Sequence, residues 1–153
     1  MGLIWCFGCR KCGKRYDVSL GCGMAYRDEM ISLRDAILAG EYGEDRAAYL
    51  AAQPEAECKP GRYLYTCPAC GHWVTGRDAT LYRSETVDIP PTLAHPWAQR
   101  VTKRHVLMPF QQACPTCGVP MDRLEQTDLE QGLRLRCPDC GTENHCWASG
   151  FWD

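Results

Sequence analysis

The chain has 153 residues, 12 of them cysteine, with 45% apolar and 24% charged residues and a formal net charge of −2. That length suits about one domain, and the composition excludes a disordered tail, a collagen-like repeat and a strongly basic nucleic-acid arm. A globular protein organised by cysteine remains.

The opening residues Met1-Gly2-Leu3-Ile4-Trp5 carry neither the basic stretch nor the long apolar core of a secretory signal, and no later stretch reaches 18 apolar residues. Position 6 is Cys6 where myristoylation of Gly2 would want Ser or Thr. A cytoplasmic location without membrane contact is expected. Thiols stay reduced there, so closely paired cysteines point to metal ligation before disulfides.

In chain order, the first cysteine pair lies in Cys9-Arg10-Lys11-Cys12-Gly13, and residues 14–20 are expected to leave it as a strand. Tyr26, Met30, Leu33 and Ile37 follow at steps of 4, 3 and 4, which predicts a helix with one apolar face, ended by Gly40. Residues 44–52 predict a second helix, stopped before Pro54. Residues 26–53 therefore read as a helical insertion. Residues 62–66 predict a strand entering the second pair, Cys67-Pro68-Ala69-Cys70-Gly71. Residues 88–98, with Pro90, Pro91 and Pro96, read as a linker. A strand over 101–108 leads to Cys114-Pro115-Thr116-Cys117-Gly118. Residues 120–124 and 133–136 predict the two strands of a hairpin, bent near Gly132, before Cys137-Pro138-Asp139-Cys140-Gly141.

These four C-x2-C-G units are one internal repeat. Cysteines three apart can present both sulfurs to one ion, proline in three of the units fixes φ, and the glycine allows the positive φ of a tight turn. Each unit is half of a tetrahedral four-sulfur site. The third and fourth halves are 19 residues apart, a spacing that suits one zinc module, with Cys114, Cys117, Cys137 and Cys140 as ligands. The first and second are 54 residues apart, so Cys9, Cys12, Cys67 and Cys70 share an ion only if the insertion leaves the module and returns. The expected fold is mostly β with a helical insertion, a small α+β protein. Its expected division is 1–87, the linker 88–98, and 99–153.

At these units the chain resembles the zinc ribbon family, small β modules in which two cysteine knuckles clasp one Zn2+. Lys11-Cys12-Gly13, Leu20-Gly21-Cys22-Gly23-Met24 and Ala39-Gly40-Glu41-Tyr42-Gly43-Glu44 also look like segments of uncharacterised bacterial zinc-ribbon proteins. The resemblance implies two four-cysteine zinc ribbons with two Zn2+ per chain and leaves function open; the role expected from the sites is that of a non-catalytic zinc-finger-like module, an adaptor for a protein or nucleic acid. Closed four-sulfur sites leave no open position for substrate or water. Iron is the alternative: Cys6-Phe7-Gly8-Cys9-Arg10-Lys11-Cys12 is similar to the opening of a ferredoxin cluster motif but lacks its fourth cysteine, and the C-x2-C-G knuckles resemble rubredoxin, a one-iron electron carrier.

Cys6, Cys22, Cys58 and Cys146 fall outside this scheme. They read first as small apolar residues, then as a third metal site with His72 or His145, or as the reactive thiol of an enzyme. No serine-protease order, phosphate loop or H-E-x-x-H run appears, and no small-molecule substrate is evident. Basic residues cluster at Arg10, Lys11, Lys14 and Arg15, and at Arg100, Lys103, Arg104 and His105. The second cluster is the candidate contact for a protein or nucleic-acid partner, with Trp97, Tyr16 or Trp73 stacking on bases. The plainer reading is that cations beside a knuckle offset the −2 charge of a zinc held by four thiolates. The aromatic end, Trp147 to Trp152, is expected to cover a ribbon face.

Overall fold

The computed structural model describes residues 2–88, 100–124, 132–146 and 148–152. Among them the chain is mostly strand with two helices, as expected. The linker read over 88–98 lies, apart from Asp88, outside the described residues. No helix of the described residues is long and apolar enough to cross a membrane.

Two compact units divide the chain: Met1–Ile31, Pro60–Asp78 and Gln111–Asp153 form one, Ser32–Lys59 and Ala79–Phe110 the other. All four knuckles belong to the first. The expected boundaries at 87 and 99 differ from this division. The strands on either side of the proline-rich stretch, β6 (Leu81–Asp88) and β7 (Arg100–Met108), are antiparallel partners from Asp88↔Arg100 to Leu81↔Met108. β6 and β7 therefore belong to one sheet rather than to two separate ribbons.

The cysteine unit is built from hairpins. β1 (Gly2–Gly8) pairs with β2 (Arg15–Leu20), and β4 (Arg62–Thr66) with β5 (Trp73–Arg77). The expected hairpin between 120–124 and 133–136 does not form. β8 (Asp122–Arg123) adds to β4 instead, and β9 (Leu133–Arg136) pairs with β10 (Glu143–Cys146), just beyond the fourth knuckle. Leu133 and Leu135 alternate with exposed Arg134 and Arg136, so β9 has one apolar face, and its antiparallel partner follows within seven residues. β11 (Ala148–Trp152) returns to β1 and completes the order β11-β1-β2, bringing the two ends of the sequence together. The aromatic side chains of this last strand lie outside the described residues.

Trp5, Val18, Leu20, Leu64, Leu133, Leu135 and Cys146 form one buried cluster, which joins residues of five strands. Tyr65, Cys67, Cys114 and Met121 form a second. The other unit holds α2 (Glu44–Ala52), the larger part of α1 (Tyr26–Leu38), β3 (Glu57–Cys58), β6 and β7. Leu33, Ile37, Leu50, Cys58 and Leu81 are its buried side chains of most note. Both helices have the predicted bounds. Gly40 has φ +84°, its N–H donates to the carbonyl of Ile37, and the Glu41 N–H reaches Ala36, the Schellman arrangement that ends α1. Arg46 of α2 gathers three carbonyls, those of Ala79 and Met108 through Nη1 and that of Pro109 through Nη2, with its guanidinium over the ring of Phe110.

Candidate metal centres

Each C-x2-C-G unit is the same six-residue turn. The residues flanking it are cross-strand partners in all four cases: Gly8↔Arg15, Thr66↔Trp73, Ala113↔Pro120 and Arg136↔Glu143. The first cysteine N–H donates to the carbonyl five residues on (Cys9 to Lys14, Cys67 to His72, Cys114 to Val119, Cys137 to Thr142), at 2.7–2.9 Å. The glycine N–H donates back to the first cysteine carbonyl, at 2.8–2.9 Å, with the glycine φ between +71° and +73°. An L-residue would be strained there. The turn leaves the N–H groups of the third and fourth positions aimed at the first sulfur, as those of Lys11 and Cys12 are at Cys9.

The turns gather the eight sulfurs into two groups. Cys9, Cys12, Cys137 and Cys140 form one, and Cys67, Cys70, Cys114 and Cys117 the other, with all ligand atoms of a group within 4.8 Å of one another. All eight candidate ligands are brought together, but not in the expected pairing: the first knuckle joins the fourth and the second joins the third. Loop length does not oppose this strongly. Each doubling of a loop costs about 0.6 kcal/mol, so closing over the 124 residues from Cys12 to Cys137 instead of the 19 from Cys117 to Cys137 costs about 2 kcal/mol. Burying one leucine offsets that amount. The side chains that decide the pairing are Trp5, Val18 and Leu20 on β1 and β2, packed with Leu133, Leu135 and Cys146 on β9 and β10.

The geometry fits a four-sulfur ion. Sulfur separations are 3.4 Å for Cys9–Cys140, 3.6 Å for Cys12–Cys137, 3.5 Å for Cys67–Cys117 and 3.7 Å for Cys70–Cys114. A disulfide requires about 2.05 Å. A tetrahedral ion with metal–sulfur bonds of about 2.3 Å requires edges of about 3.8 Å. Either group can therefore hold a metal ion.

Electrostatics agree. The N–H of Cys12, with that of Lys11, lowers the Cys9 thiol to about 6 against its burial. Cys114 also falls to about 6: burial pushes it up, but the N–H groups of Cys117 and Thr116 and the thiols of Cys117 and Cys70 together pull it lower. Cys12 and Cys117 go to about 12: the N–H groups of Lys14 and Val119 pull them down, but burial and the neighbouring sulfurs push harder. Four thiolates this close repel one another, and a dication is the counter-charge that lets all four ionise together.

Around the first group, the Tyr16 hydroxyl stands 3.1 Å from Cys137 Sγ and donates to Asp139, which pairs with Lys14 Nζ at 2.6 Å. Lys14 and Tyr16 hold the Asp139 carboxyl below its ordinary range. The Arg10 N–H donates to Asn144 Oδ1, and Asn144 is buried and donates to the Thr142 carbonyl. Between the groups, Trp73 Nε1 donates to the Arg136 carbonyl at 2.8 Å, and Tyr16 meets Trp73 edge to face. Both rings thus have partners within the protein. Sequence reasoning missed Asp139, Asn144 and Arg136 as neighbours of the sulfurs, because the pairing that makes them neighbours was not visible.

His72 and His145 join neither group, and among the described residues these two cysteine sets are the ones fit for an ion. Cys6 is exposed on β1, Cys22 is half-buried, and Cys58 and Cys146 are buried. Burial pushes the Cys146 thiol up to about 11. Arg100, Lys103 and Arg104 lie on β7 of the other unit, where Lys103 is the cross-strand partner of Glu85 and Arg104 of Ser84. His105 Nε2 is 3.3 Å from Glu85.

With this geometry in hand, the chain was compared with protein-family models, curated proteins and solved structures. It matches none.

Proposed function

We propose that the chain is a non-catalytic zinc protein, with one Zn2+ in each four-cysteine group and two per chain, that serves in the cytoplasm as an adaptor for a protein partner. One observation carries the reading: eight sulfurs gathered in two closed fours at near-tetrahedral spacing, which leave no ligand position for a substrate. The resemblance of the knuckles to zinc ribbons favours zinc. Four thiolates suit iron equally, and the iron version is a rubredoxin-like electron carrier. Metal analysis and absorption of protein purified without added metal distinguish the two. Two zinc ions per chain and no visible band support the proposal, whereas a red iron chromophore ends it.

A protein partner is preferred to nucleic acid because the basic strand is interleaved with carboxylate: Glu85 faces Lys103 and pairs with His105. Phosphate-driven binding falls steeply with salt. Wild-type chain is expected to show no salt-sensitive affinity for DNA or RNA. Strong salt-sensitive binding, abolished by reversing the charges of Lys103 and Arg104, would replace the protein partner with a nucleic acid. The thiol-enzyme alternative is tested by labelling kinetics of the zinc-loaded protein, where uniformly slow reaction of Cys6, Cys22, Cys58 and Cys146 removes it.

A further inference from the structure

We infer that the two four-cysteine centres load metal cooperatively, coupled by a reciprocal clasp between Arg136 and the second knuckle. The inference rests on the zinc reading and adds a property that two separate sites lack. Arg136 is the residue before the ligand Cys137, yet its guanidinium Nη1 reaches the carbonyl of Cys70, a ligand of the other centre, at 3.3 Å. In return Trp73, three residues beyond Cys70, donates its indole N–H to the Arg136 carbonyl. Side chain and backbone are thus exchanged between the two hairpins within three residues of a ligand on each side.

The fit at this crossing is close. A Cβ at Gly71 would lie 2.7 Å from Cδ and 2.9 Å from Nε of Arg136, so the glycine that shapes the second knuckle also admits the arginine. The cleft of about 200 Å3 here is lined by Cys70, Gly71 and Thr116 of one centre and by Arg136, Cys137 and Gly141 of the other. Tyr16 adds a second route, since its ring meets Trp73 while its hydroxyl meets Cys137 Sγ.

Neither Arg136 nor Trp73 supplies a ligand atom, so their effect runs through position alone. An ion that fixes Cys67 and Cys70 fixes the Cys70 carbonyl and the start of β5. It thereby orders Arg136 and the approach to Cys137 before the first centre is filled. The cost of ordering the clasp falls on whichever ion binds first, and the second binds a framework already formed. Such coupling is reciprocal and commonly amounts to about 5- to 150-fold in affinity.

The test titrates zinc chloride into the reduced, metal-free full chain and counts metal-free, singly loaded and doubly loaded species by native mass spectrometry at one equivalent. Two alike, independent sites give a singly loaded share of about one half, and fivefold coupling lowers it to about one third. Arg136→Ala and Trp73→Phe each remove one bond of the clasp without touching a sulfur. Each is expected to raise the singly loaded share and to weaken the second step about fivefold or more. Arg134→Ala, which removes an exposed arginine of the same strand, is expected to keep the wild-type distribution. An unchanged distribution in both clasp variants overturns the inference, and Trp73→Phe, which keeps a ring in place, decides it if Arg136→Ala does not fold. A wild-type chain that takes up no zinc defeats the zinc reading itself. Two zinc ions that load independently defeat only the coupling.

Discussion

The hydroxyl of Tyr16 stands 3.1 Å from the sulfur of Cys137, 121 residues further along the chain. It sits at the end of a short relay, Lys14 to Asp139 to Tyr16, that borders one sulfur group. Polar neighbours of this kind orient a ligand and typically change metal affinity by about 10- to 100-fold. Tyr16→Phe keeps the ring against Trp73 and removes the hydroxyl. Zinc affinity is expected to fall about tenfold at the centre of Cys9, Cys12, Cys137 and Cys140, with a smaller loss at the other. Competition with a chromophoric chelator, or separate 113Cd resonances for the two centres, reads the difference.

Metal removal should act unequally on the two units. Zinc in finger peptides contributes about 10–16 kcal/mol of apparent binding energy, as much as the whole stability of many domains. All eight sulfurs lie in one unit, and the other has its own helices, sheet and buried apolar residues. On chelation, amides of β1, β2, β4, β5, β9 and β10 should lose hydrogen-exchange protection, while those of α1, α2 and the β6–β7 pair keep it longer. Equal and simultaneous loss in both units would contradict this expectation.

Cys146 gives the pH dependence. Burial raises its thiol from 9.0 to about 11, so the fold favours the neutral form. A thiol raised in this way stabilises fully below the unfolded value and loses that stabilisation as pH climbs from about 9 through 11. Stability of the zinc-loaded chain, followed by urea denaturation, should therefore decline over that window. Cys146→Ala removes the titrating group and should flatten this part of the profile, while lowering stability at neutral pH through the cavity it leaves in the cluster with Leu133 and Leu135.

Arg46 is the polar centre of the second unit. Its three carbonyl contacts and its place over Phe110 tie α2 to the ends of β6 and β7. Hydrogen bonds from a charged donor contribute about 1.5–3 kcal/mol, and the carbonyls would be left unpaired by truncation. Arg46→Ala should destabilise this unit by about 2–3 kcal/mol. Arg46→Lys should recover only part of that, since an ammonium lacks the planar fork that spans three acceptors. Urea denaturation followed by helical circular dichroism measures both.

The candidate ligands were legible in the sequence because their geometry is local: C-x2-C-G encodes a turn, and four copies of one turn announce two candidate centres. Both helices were legible too, from their apolar spacing and from Gly40. Partner choice was not. Which knuckle meets which is decided by contacts such as Trp5 and Val18 with Leu133 and Leu135, more than a hundred residues apart, and the spacing rule that favoured the third and fourth weighs only about 2 kcal/mol. β1 was hidden by its composition: Leu3-Ile4-Trp5 lacks the alternation that marks a strand with one solvated face, and its place is set by pairing with β2 and β11, distant in part along the chain. β6 was hidden for the opposite reason, since Leu81-Tyr82-Arg83-Ser84-Glu85 shows no regular pattern and takes its conformation from β7.

The ligand order is nested, the 9/12 and 137/140 pairs enclosing the 67/70 and 114/117 pairs. During synthesis the inner centre has its last sulfur once Cys117 has left the ribosome, while the outer one waits for Cys140 and for the strand that closes on β1. Until then the opening hairpin, with Cys9 and Cys12, must stay reduced and unclaimed. The outer centre thus depends on strands far apart in the chain, β1 and β11, coming together.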